Sequence, residues 1–155
     1  MLKAGDQAPV FELPDASMEM LDLSTFRDRH KVVLFFYPRD SAPQCIQEAI
    51  EFSDLEEVFA RHGAVLLGIS RDNFLSHAAF REQHGLAAQL LSDEDGAVCR
   101  QYGVLAEQQV NGVTRCQVER VTYIIDRDGK VCHVVPVQHA KGHAAEVLKL
   151  VKEMK

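Results

Sequence analysis

The chain has 155 residues, 46% of them apolar and 26% charged, with a formal net charge of −6. That is enough for one domain with a sizeable core, so a single domain over 1–155 is expected. The acidic balance argues against a nucleic-acid surface, which needs a basic face. No apolar run approaches the roughly 18 residues of a membrane span.

At the start, Met1-Leu2-Lys3-Ala4-Gly5-Asp6 has no apolar core of a signal peptide, which predicts a cytoplasmic protein with reduced cysteines. The stretch before Lys31 reads as an irregular extension with one or two short strands. Lys31 to Tyr37 is a nearly continuous apolar run stopped by Pro38, the pattern of a buried strand. Pro43 to His62 reads as a helix. Pro43 suits its first turn, Ile46, Ala49, Ile50, Phe52, Leu55, Val58 and Phe59 form a stripe, and Gly63 ends it. Ala64 to Ile69 is a second buried strand, and Asn73 to His84 a second helix stopped by Gly85. Leu90-Leu91 is a short strand and Asp95 to Tyr102 a short helix.

Gly103 to Glu119 reads either as a loop or as a small hairpin turned by Asn111-Gly112. Arg120 to Asp126 and Lys130 to Val137 are two strands around Arg127-Asp128-Gly129, where Asp-Gly supplies the positive φ of a tight connection. Lys141 to Met154 closes the chain as an amphipathic helix. Strand–helix–strand followed by a hairpin predicts an α/β fold. Its mixed sheet has helices on both faces, the thioredoxin-like arrangement.

Four cysteines stand at 45, 99, 116 and 132, with no C-x-x-C pair and no Cys/His cluster, so no metal site is expected. Cys45 differs from the rest because it falls in the first turn of a predicted helix. There the unpaired N–H groups and the helix dipole favour thiolate over thiol. A pKa below the ordinary cysteine value and a nucleophilic sulfur are expected.

Phe36-Tyr37-Pro38-Arg39-Asp40, Pro43, Cys45 and Glu48 together resemble the peroxidatic-cysteine loop of peroxiredoxins, in the bacterioferritin-comigratory-protein or peroxiredoxin Q subgroup. The resemblance runs almost end to end. It takes in Pro9 to Asp15, Gly68 to Asp72, Leu90 to Asp93, Tyr102-Gly103-Val104, Arg120-Val121-Thr122-Tyr123-Ile124-Ile125-Asp126 and Gly142-His143-Ala144. It implies a thiol peroxidase without metal or organic cofactor. Cys45 would attack the peroxide and become a sulfenic acid. Arg120 would hold the fixed charge beside it, Tyr37 and Pro38 would border the site, and Glu48 would hold the arginine. The substrate would be hydrogen peroxide or an alkyl hydroperoxide, the reductant thioredoxin or a small thiol, and the protein a monomer or weak homodimer.

Two positions depart from the pattern. The family threonine three residues before the cysteine is Ala42, and the glycine just before it is Gln44, which implies either a slow peroxidase or one in which Gln44 or Ser41 stands in for the lost hydroxyl. The usual resolving positions are Ile50 and Arg81. Recycling then falls to an outside thiol, or to Cys116, Cys99 or Cys132. Cys116 is preferred because its segment looks flexible, whereas Cys99 and Cys132 read as packing residues. The same departures leave open a second function on this fold, a thiol-based redox sensor or adaptor with little turnover.

Overall fold

The computed structural model describes residues 1–154; Lys155, part of the expected single domain, lies outside them. Its framework is a five-stranded sheet. The strands are β3 (Lys31–Phe36), β4 (Ala64–Ser70), β5 (Gln89–Ser92), β8 (Val121–Ile125) and β9 (Val131–Pro136), in spatial order β5-β4-β3-β8-β9. β3 runs parallel to β4 and β4 to β5, whereas β8 is antiparallel to both β3 and β9. The helices are α1 (Pro43–Asp54), α2 (Glu56–Arg61), α3 (Phe74–His84), α4 (Ala97–Gln101) and α5 (His143–Glu153). This is the mixed, thioredoxin-like architecture that the order of elements predicts.

Every residue of β3 is buried, because side chains alternate between two cores. Val32, Leu34 and Phe36 join Phe11, Leu13, Tyr102 and Val98, under the N-terminal segment and α4. Val33, Phe35 and Tyr37 join Phe52, Phe59, Phe80, Val147 and Val151, under α1, α2, α3 and α5. At Gly68 two core side chains approach the backbone closely. A Cβ there would lie 2.7 Å from the Phe35 ring and 2.9 Å from Leu90, so only glycine lets Phe35 cross its neighbour strand.

The N-terminal extension holds a small hairpin of β1 (Glu12–Pro14) and β2 (Met20–Asp22), followed by a turn of 3-10 helix at Leu23–Phe26. The second helix starts at a cap: Asn73 accepts from the Ser76 N–H at 2.9 Å, and Gly85 ends it in the left-handed region. The helix expected from Pro43 to His62 is two helices, broken where Leu55 leaves helical geometry at φ −99 and ψ 3. No proline or glycine marks that position, which is why the sequence reads as continuous. The open choice at 103–119 resolves as a hairpin, β6 (Leu105–Val110) and β7 (Val113–Val118), paired only with each other. Asn111 and Gly112 both take positive φ, as a two-residue turn matching strand twist requires. No described helix is long and apolar enough to cross a membrane.

Candidate active site

The chain leaves β3 at Phe36, passes Pro38 and re-enters helix at Pro43, so Cys45 becomes the third residue of α1. Ala42 is the cap residue, in extended backbone at φ −73 and ψ 127, with no side-chain bond to the helix. Its carbonyl does accept the Cys45 N–H at 2.9 Å.

The loop is held from behind by a buried polar network. Asp40 is its centre: Tyr37 Oη donates to it at 2.7 Å, Ser76 Oγ at 2.7 Å, and His77 Nδ1 lies 2.8 Å away. The Asp40 N–H donates to Asp72 at 2.9 Å, and Ser70 Oγ to the same carboxylate at 2.7 Å. His77 Nε2 donates to the Leu91 carbonyl at 3.0 Å, tying α3, β5 and the loop together. The donor atoms of Asp40, Asp72 and His77 lie within 4.8 Å of one another, but each is already committed to these bonds. Tyr37 therefore supports the loop from the core side and does not line the cavity in front of it, while Pro38 does. Sequence reading missed His77; a histidine inside a helix gives no local signal of what it will meet.

In front of the loop lies a cavity of about 800 Å³. Cys45, Arg120, Gln44, Ala42 and Pro38 are among the residues that line it. Arg120 sits just ahead of β8, held strand-like by Val137 N–H donating to its carbonyl at 3.0 Å. Its guanidinium grips the first two turns of α1, donating to Glu48 Oε2 at 2.9 Å, to Gln44 Oε1 at 3.1 Å and to the Gln44 carbonyl at 3.2 Å. A planar fork can hold several acceptors at once, which an ammonium would not do in the same plane. The side-chain oxygen of Gln44 is thus spent on orienting Arg120, which leaves its amide nitrogen as a donor, and the exposed Ser41 does not line the cavity. Ser41 therefore does not replace the hydroxyl missing at Ala42.

Three further arginines, 39, 71 and 115, line the cavity against one carboxylate, Glu94. The mouth is cationic on a chain of net charge −6. Sequence reading did not find this concentration, because the four arginines come from three separate parts of the chain.

The electrostatics of Cys45 correct one expectation. Burial pushes its thiol above the ordinary value of 9.0, not below it. Opposing burial are a hydrogen bond from the Arg39 backbone and the Arg120 charge, while Glu48 and Asp40 add to the rise. The helix-start argument covered only the local part of the balance. Cys45 is just 2% exposed and its own N–H is taken by Ala42. Glu48, 1% exposed, is itself raised to about 7 by burial, against the pull of Arg120. Its Oε1 has no hydrogen-bond partner and lies 3.8 Å from His143 Nε2. That ring, 2.8 Å from Thr122 Oγ1, is lowered to about 4 by burial and by Arg120. His143 and Thr122 thus form a neutral backing to the Glu48–Arg120 pair.

The remaining cysteines separate by position. Cys99 is fully buried, with burial and Asp93 pushing its thiol far up. Cys132 is half-buried beside Asp126. Cys116 is exposed and lines the cavity that Cys45 lines.

Known proteins resemble this chain along nearly its whole length. Residues 4–134 match the model of the AhpC/TSA family. A putative peroxiredoxin Bcp of Coxiella burnetii is 40% identical over 147 residues, covering 95% of this chain and 97% of that protein. The crystal structure of peroxidoxin BcpB from Mycobacterium tuberculosis superposes with a TM-score of 0.89 at 36% identity, covering 100% and 99% of the two chains. The bacterioferritin comigratory protein of Xanthomonas campestris, studied for alkyl peroxide reduction activity, gives a TM-score of 0.86 at 33% identity, covering 92% and 90%. With nearly its whole length matched in sequence and in fold, this chain belongs to the AhpC/TSA family, in its Bcp or peroxiredoxin Q branch.

Proposed function

We propose that this protein is a thiol peroxidase that reduces hydrogen peroxide or alkyl hydroperoxides with Cys45. The observation that carries the reading is the shared cavity. Cys45 and Arg120 come from distant parts of the chain and line one pocket, with Arg120 clamped onto the helix that bears the sulfur. The Cys45 thiolate attacks the terminal peroxide oxygen, the O–O bond breaks, and the leaving oxygen takes up a proton as water or alcohol. The sulfur is left as a sulfenic acid. Arg120 and the Arg39 N–H stabilise the charge that moves from sulfur to oxygen. Pro38, Ala42 and Gln44 shape the entrance, and Glu48 keeps Arg120 in place.

The 800 Å³ cavity is larger than hydrogen peroxide requires and admits an organic hydroperoxide. The reductant is thioredoxin or a small thiol, the setting is the cytoplasm, and the working form is a monomer or weak dimer. A redox sensor on the same site is the second reading. It is favoured by the raised Cys45 thiol and by the alanine at 42. Stopped-flow mixing with hydrogen peroxide separates the two. A peroxidase forms the Cys45 sulfenate far faster than free cysteine does; a rate equal to that of free cysteine assigns the site to sensing.

A further inference from the structure

We propose that Cys116 resolves the oxidised enzyme by forming an intrachain disulfide with Cys45. This rests on the peroxidase reading above, which supplies the sulfenic acid. The two thiols are 71 positions apart in sequence, yet both line the same cavity. Neither of the other cysteines does, since Cys99 is sealed in the core and Cys132 sits against Asp126.

The step is balanced. The Cys116 sulfur, having lost its proton, attacks the Cys45 sulfur; the S–O bond breaks, and the departing hydroxide takes up a proton and leaves as water. Each sulfur ends with one of the two oxidising equivalents that the peroxide delivered.

A disulfide needs Cα atoms about 4.4–6.8 Å apart, and Cys45 starts buried, so something must yield. The structure offers two compliant pieces that both line the cavity. One is the β6–β7 hairpin, exposed from Glu107 to Gln117 and paired only with itself. It is rooted at its base by buried Val104 and Val118 and by the Glu119 N–H donating to the Val104 carbonyl at 2.7 Å. The other is the first turn of α1, which has no side-chain cap at Ala42 and whose remaining outside hold, the Arg120 bonds to Gln44, opens as the turn frays. Hairpin swing and first-turn fraying together bring the exposed thiol to the buried one.

The test uses the full chain and the Cys116→Ser and Cys132→Ser variants, the first at an exposed site. After one equivalent of hydrogen peroxide, non-reducing peptide mapping of the parent and of Cys132→Ser should show a Cys45–Cys116 disulfide in a monomer. Cys116→Ser should instead accumulate sulfenate, with dimedone labelling at Cys45 about tenfold above the parent. Equal labelling in parent and Cys116→Ser, with Cys116 free, overturns the proposal and leaves the peroxidase reading standing. So does a disulfide joining two chains, or one joining Cys45 to another cysteine. Diamide oxidation forms the bond without peroxide. If the chain proves inert to peroxide, the peroxidase reading falls, and the diamide map still decides whether Cys45 and Cys116 pair.

Discussion

Replacing Ala42 with threonine puts a hydroxyl at the one place where the site lacks it. The backbone there, φ −73 and ψ 127, is extended and suits a β-branched residue. The residue caps α1 and lines the cavity beside Cys45, so one oxygen can serve twice. Its lone pair can accept a first-turn N–H, and its hydrogen can point at the peroxide. A side-chain cap replacing alanine contributes about 1 kcal/mol, which for a domain of this size is a rise in Tm of roughly 2–4 °C. A pre-positioned donor to the developing oxyanion contributes about 3 kcal/mol, roughly a hundredfold in rate. Thermal melts read the first effect, and stopped-flow sulfenate formation with hydrogen peroxide reads the second. If Tm rises but the rate stays within about threefold of the parent, the hydroxyl is not what the reaction lacks. Position 42 then does not reach the reacting oxygen from the cavity wall.

Arg120→Met removes the charge facing Cys45 and should slow sulfenate formation by about a hundredfold, measured by the same mixing experiment; an unchanged rate removes Arg120 from the mechanism. Because the Cys45 thiol is raised, its thiolate should keep growing as pH passes the ordinary value of 9.0, and the peroxide rate with it. A rate already level at neutral pH would show that burial does not dominate. Glu48 and His143 bear on stability in opposite senses. Glu48, raised from 4.5 to about 7, stabilises the fold fully below 4.5 and loses that contribution as pH rises through 7. His143, lowered from 6.5 to about 4, contributes above 6.5 and loses it as pH falls through 4. Between those limits folded and unfolded chains bind the same number of protons at these two sites, so their slopes cancel. Glu48→Gln leaves only the His143 slope. Relative to the parent, urea denaturation of that variant should lose roughly 1–3 kcal/mol between pH 6.5 and 4.5, and a constant difference across that range would refute the pairing.

Local chemistry settled much of this protein before any folding. The five apolar residues of β3, the Asn73 cap, the Asn111-Gly112 turn and the Asp126–Gly129 turn are decided within a few neighbours, so the sequence carries them openly. The proline–cysteine loop and the distant arginine are legible too, because their residue types and spacing are specific. Tertiary packing alone decided the rest. A helix start suggests a lowered thiol pKa, but only the burial of Cys45 among its neighbours shows the opposite direction. No spacing rule places His77 against Asp40 or sets Cys116, not Cys99, on the cavity that Cys45 lines. Desolvation and through-space charge depend on what long-range contacts bring within a few ångströms, and that information is spread over the whole chain.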